Sequence, residues 1–97
     1  MTYTVHPGGE LDLAEASDFY VKQAGEIVAR RFLAEFERVA RLVDRNPEAG
    51  AEIRKNRRSF HFAVFPYTVI YRKLEAGIQV LVVRHQSRKP SYGMSRR

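Results

Sequence analysis

The stretch Tyr67-Thr68-Val69-Ile70-Tyr71-Arg72-Lys73-Leu74-Glu75-Ala76-Gly77-Ile78-Gln79-Val80-Leu81-Val82-Val83-Arg84-His85 decides the fold. From Tyr67 to Lys73 the residues are largely β-branched and aromatic, Glu75-Ala76-Gly77 is a hairpin turn signal, and Ile78 to His85 is apolar on both faces. A strand that is apolar on both faces must be covered on both, so Ile78–His85 is predicted to be central in its sheet. Immediately upstream, Pro66 interrupts the chain after a further strand-like run, Arg57–Phe65. There Phe60, Phe62 and Val64 alternate with His61, Ala63 and Phe65.

Further upstream the apolar period changes from two to about 3.6. Between Glu26 and Asn46, the residues Val28, Phe32, Phe36, Val39 and Val43 form one stripe, Glu37 and Arg41 pair on the outer face, and Pro47 ends the helix. A shorter helix is predicted from Glu10 to Ala24, with Leu13, Ala16, Ser17, Tyr20, Val21 and Ala24 inward. Asp12, Glu15, Asp18 and Lys22 fall on the solvent side, and Gly25 is its stop. Two apolar stripes joined by so little chain must fold back on each other as an antiparallel hairpin. Residues 2–6 (Thr-Tyr-Thr-Val-His) read as a short first strand ended by a turn at Pro7-Gly8-Gly9. The predicted order is β-α-α-β-β-β, an α+β fold with a helical hairpin on a small, twisted, mostly antiparallel sheet. It forms a single domain over residues 1–90, and residues 91–97 are expected to be a loose basic tail.

At 97 residues with 44% hydrophobic content the chain can bury a core, which excludes an intrinsically disordered class. The absence of cysteine removes disulfides, thiolate nucleophiles and Cys-ligated metal centres, and suits a reducing cytoplasm. Neither a signal-peptide pattern nor a membrane-length apolar run is present in the sequence, so a soluble, cytoplasmic protein is expected. The charge is uneven: residues 1–24 carry net −3, residues 25–50 are neutral and residues 51–97 carry +9, for an overall +6. Concentrated positive charge favours phosphate-rich or acidic partners.

Little in the sequence can perform chemistry. His6, His61 and His85 lie on three different predicted strands without nearby carboxylates at ligand spacing, so neither a metal site nor a cofactor is expected. What remains is a group at the end of the last strand, Arg84, His85, Arg88, Lys89 and Tyr92. Arg54, Lys55, Arg57 and Arg58 join it from the entry to the preceding hairpin, and together they predict a positively charged groove on the C-terminal sheet. Facing such a groove, His85 is an acid–base group and the arginines hold phosphate oxygens, which are the parts that RNA cleavage requires. Turned away from it, His85 is a strand-end residue bonded to the backbone. Tyr92 stacks on a base or relays a proton. The same arginines fit an acidic peptide equally well.

Taken as a set, Arg57-Arg58, Phe65-Pro66-Tyr67-Thr68-Val69-Ile70-Tyr71-Arg72, Val82-Val83-Arg84-His85-Gln86-Ser87-Arg88-Lys89-Pro90 and Tyr92 resemble the RelE/ParE superfamily of toxins from bacterial type II toxin–antitoxin modules. The resemblance covers essentially the whole chain. It implies a toxin kept silent by a cognate antitoxin in a hetero-oligomer, the antitoxin wrapping it with a partly disordered segment. RelE-like members are ribosome-dependent mRNA endoribonucleases, and ParE-like members poison DNA gyrase. If this chain is a nuclease, the resemblance assigns catalysis to Arg84, His85, Arg88 and Tyr92, and target or antitoxin binding to Arg54, Lys55, Arg57, Arg58, Arg72 and Lys89. Only Lys55 and Lys73 supply lysine to the sheet region, and Phe60, His61 and Phe62 stand where the nuclease members are more polar. With the long second helix, this places the chain nearer the ParE-like branch and makes gyrase the preferred target. The further alternative is an inactive toxin fold that binds only its antitoxin.

Overall fold

The computed structural model describes residues 3–97. Strand β1 (Thr4–Val5) leads into helix α1 (Pro7–Ala24) and helix α2 (Glu26–Arg45). Four strands follow: β2 (Ala51–Arg54), β3 (Arg57–His61), β4 (Tyr67–Leu74) and β5 (Gly77–His85). They form one five-stranded sheet in the order β1-β5-β4-β3-β2, with β1 parallel to β5 and every other pair antiparallel. The α+β architecture and the interior position of β5 agree with the sequence reading.

Four local details differ from that reading. The first strand is only Thr4–Val5, and Thr2 lies outside the described residues. Pro7-Gly8-Gly9 is no turn but the start of α1, with Pro7 where its fixed φ and missing N–H do no harm, and with the Nδ1 of His6 accepting the Gly8 N–H at 2.9 Å. Strand β2 was not expected at all; it pairs with β3 through a tight turn in which Asn56 takes the left-handed conformation (φ 52°). Strand β3 stops at His61: the Phe62 N–H still reaches the Tyr67 carbonyl at 2.9 Å, and then Glu35 of α2 captures the following amides, its Oε2 accepting Ala63 N–H at 2.5 Å and Val64 N–H at 2.9 Å.

Both helices cover one face of the sheet. Phe32, Phe36, Val39 and Val43 of α2 meet Val69 and Tyr71 of β4 and Ile78, Val80 and Val83 of β5 in one buried cluster. The Tyr71 hydroxyl accepts the Gly50 N–H at 2.9 Å and donates to the Pro47 carbonyl at 2.8 Å, pinning the α2–β2 loop. A bulge inserts Leu81 opposite the Ile70–Tyr71 step, and Ile70, Leu81 and Val82 form a second apolar cluster on the other face. Tyr92 and Met94 pack over that cluster, so the segment after Pro90 is folded back in successive turns and is not loose.

Candidate functional site

Among the described residues, no strand lies beside the outer edge of β5 beyond Val80, because β1 is so short. Side chains complete its hydrogen bonding. At one end Asp44 of α2, buried, accepts the Ile78 N–H at 3.2 Å, and at the other Asp12 of α1 accepts the Val83 N–H at 2.9 Å. Arg96 donates to the Leu81 carbonyl at 2.9 Å and to Asp12 at 2.7 and 3.2 Å, and the Tyr92 hydroxyl donates to Asp12 at 2.6 Å. Asp12 therefore belongs to the interior, not to the solvent side where the helical period places it. Its hydrogen bond raises the Tyr92 phenol above its ordinary pKa, with burial adding to the effect. Nothing in the sequence distinguishes Asp12 from the solvated acids around it. Arg96 and Gly8 meet here too: a side chain at Gly8 would place its Cβ 2.4 Å from Arg96 Nε.

A cleft of about 330 Å³ opens between α1 and the C-terminal end of β5, and Arg84, His85, Arg88 and Tyr92 all line it, with Asp12, Glu15, Phe19 and Tyr67. The four residues assigned to a nuclease thus converge. Their chemistry is largely committed within the fold. Ser87 donates its N–H to His85 Nδ1 at 3.0 Å with its Oγ at 2.8 Å, which leaves the ring proton of a neutral His85 on Nε2, and Tyr67 meets the ring edge-on at 5.2 Å. Arg84 donates to the Pro90 carbonyl at 2.6 Å, and the Arg88 guanidinium stacks 4.6 Å above the Tyr92 ring. Lys89 is exposed in the turn that follows β5.

The remaining cations are elsewhere. Arg54, Lys55 and Arg57 sit at the β2–β3 turn and Arg72 near the end of β4, at the opposite end of the strands from Arg84. From Thr68, which opposes Arg84, to Arg72 is four residues of strand, about 13 Å. The single groove expected from the sequence is therefore two separate cationic sets. Arg58 joins neither: it lies on the helix-covered face opposite Tyr71 and donates to the Gly50 carbonyl at 2.8 Å, so it supports the α2–β2 loop.

A third feature is apolar. Alongside α2, a groove of about 540 Å³ is walled by Val28, Ala34, Val64 and Phe65 and bordered by Arg31 and Arg38. The two bonds to Glu35 hold the β3–β4 loop so that Val64 stands 76% exposed at its rim. Among the described residues, no helix is long and apolar enough to cross a membrane.

Comparison with known proteins adds three findings. A family model described as the ParE toxin of the type II toxin–antitoxin system parDE matches residues 3–90. The toxin ParE2 of Mycobacterium tuberculosis, in strain H37Rv and in strain CDC 1551, is 32% identical over 87 residues, covering 90% of this chain and 83% of the relative. A chain in the structure of a chromosomal ParDE toxin–antitoxin system from P. aeruginosa superposes with a TM-score of 0.76 over 88% of this chain and 95% of that one. At 19% identity it shares the fold.

Proposed function

Because this chain belongs to the ParE family of toxins from type II toxin–antitoxin systems, we propose that it arrests growth by binding and inhibiting DNA gyrase, and that a cognate antitoxin keeps it silent. The observation that carries this reading is the engagement of the cleft residues. The Tyr92 hydroxyl donates its hydrogen bond to the buried Asp12 carboxylate, and His85 Nδ1 accepts from Ser87 N–H. A phosphodiester-cleaving site needs one group free to take the 2′-hydroxyl proton and another free to protonate the leaving oxygen. A toxin that acts by binding needs neither. The antitoxin is an acidic segment with apolar anchors, which suits the α2 groove: Val64 and Phe65 receive the anchors, and Arg31 and Arg38 meet the acids.

The test is supercoiling of relaxed plasmid by purified gyrase in the presence of the full chain. Supercoiling is lost if the reading is right; intact supercoiling at micromolar chain refutes the gyrase target. One observation favours the ribonuclease reading, namely that Arg84, His85, Arg88 and Tyr92 do share a cleft. That reading requires codon-positioned mRNA cuts on programmed ribosomes, abolished by His85→Ala with Arg88→Ala.

A further inference from the structure

The face of the sheet turned away from the helices carries an unusual row. Phe60 packs into the helix-covered core, so by alternation Arg57, Ser59 and His61 of β3 face the other way, as do Ile70 and Arg72 of β4. The registers then set three arginines side by side across adjacent strands: Arg54 of β2 opposes Arg57 of β3, which stands beside Arg72 of β4, and Arg72 opposes Gln79 of β5. Neighbouring strands are about 4.8 Å apart, and like charges placed opposite one another destabilise a sheet. Burial, then the charges of Arg72 and Arg54, lower the pKa of the Arg57 guanidinium from its ordinary value. Among the described residues, no carboxylate pairs with any of the three. The Nε of Arg72 is held by Gln79 at 2.9 Å and one terminal nitrogen of Arg57 by the Asn56 carbonyl at 2.9 Å. Exposed Lys55, in the β2–β3 turn, stands at the end of the row.

We propose that this arginine row binds the phosphate backbone of double-stranded DNA without reading its sequence. A row of planar, unneutralised guanidinium groups, two of them held in place, matches a partner that presents closely spaced phosphates. An acidic peptide fits less well. It needs apolar anchors to offset the entropy of ordering; beside this row Ile53 and Leu74 are single, half-exposed side chains and Ile70 is buried beneath Tyr92 and Met94, whereas the continuous apolar groove lies alongside α2. A single strand fits less well too, since the row holds no aromatic side chain on which bases could stack. The site does not rest on the gyrase reading. A toxin that inhibits gyrase through protein contacts alone retains that inhibition when the row is neutralised, so the two conclusions can fail separately.

The experiment is fluorescence anisotropy of a labelled random-sequence duplex with the full chain, titrated between about 50 and 200 mM salt. Three to five phosphate contacts give a slope of log K against log salt of about −2.7 to −4.5. Arg57→Gln with Arg72→Gln is expected to flatten the slope by about 1.8 and weaken binding on the order of a hundredfold at the low-salt end. Its thermal midpoint should hold or rise as the repulsion between like charges is removed. Arg54→Gln with Lys55→Gln, both at exposed positions, provides a second variant that is expected to flatten the slope similarly. An unchanged slope in both double variants overturns the proposal, as does loss confined to Arg84→Gln with Arg88→Gln. If polyglutamate or a single strand holds the site more tightly than the duplex does, the assignment to duplex DNA is wrong.

Discussion

Replacing Asp12 with alanine should be among the most damaging single changes available to this fold. The carboxylate accepts from Val83 N–H, the Tyr92 hydroxyl and both terminal nitrogens of Arg96, and its side chain is only 2% exposed. Without it the buried Val83 amide has no acceptor, at a cost of about 1–3 kcal/mol. Breaking a buried ion pair costs about 3–5 kcal/mol when the stranded charge cannot reach water. The Arg96 side chain is 18% exposed and can partly rehydrate, which places the whole loss near 3–5 kcal/mol. A domain of this size holds about 5–15 kcal/mol in total, so the variant should unfold at a midpoint lower by roughly 15–30 °C. Urea unfolding followed by circular dichroism measures this directly, and combining Asp12→Ala with Arg96→Met should cost less than the two single changes added. A loss below about 1 kcal/mol, the worth of one ordinary hydrogen bond, would refute the structural role given to Asp12.

Other outcomes follow from the same constellation and from the loop beside α2. Gly8→Ala should destabilise the wild type, because the new Cβ displaces the Arg96 guanidinium. In an Arg96→Ala background the same change should become neutral or stabilising by up to about 1 kcal/mol, since alanine favours a helix over glycine; equal cost in both backgrounds would show that the contact is unimportant. The Tyr92 phenol is raised above the ordinary value of 10.0, first by its bond to Asp12, so its stabilising contribution is complete below that pH and is lost as pH climbs through the raised value. Unfolding free energies should therefore fall less steeply above pH 10 in Tyr92→Phe than in the wild type, and parallel alkaline declines would contradict this. Glu35→Ala should speed hydrogen exchange at the Ala63 and Val64 amides while costing only about 1 kcal/mol globally, and unaltered exchange there would remove Glu35 as the support of the loop.

The helical hairpin and the β4–β5 hairpin were legible because burial imposed a period: Phe32, Phe36, Val39 and Val43 had to share a face, and the Val80–Val83 run had to be covered twice. Strand β2 was not legible. Ala51, Glu52, Ile53 and Arg54 are all exposed and bulged at Ile53, so no face selects an alternation, and the pairing is decided by the turn at Asn56. The docking of the C-terminal segment was hidden for a related reason. It depends on Tyr92 and Arg96 meeting Asp12, 80 and 84 residues away, and on Gly8 leaving room for Arg96, and such a meeting has no local signature. Of the candidate site, the convergence of Arg84, His85, Arg88 and Tyr92 was readable from their closeness along the chain. Their separation from Arg54, Arg57 and Arg72 was not, because it follows from the length and direction of strands whose register only the folded sheet defines.

The side chains that finish β5 also guard against self-assembly. An unpaired ledge of main chain on a strand this apolar is a template to which another extended segment can add, and here a carboxylate and a guanidinium occupy the places an added strand's carbonyls and amides would take. Trimming the chain ahead of Arg96, or oxidising or tagging it so that the last turn cannot close, would uncover that template. Preparations altered at this terminus should therefore be judged first by whether they stay dispersed, before any loss of toxicity is blamed on the target surface.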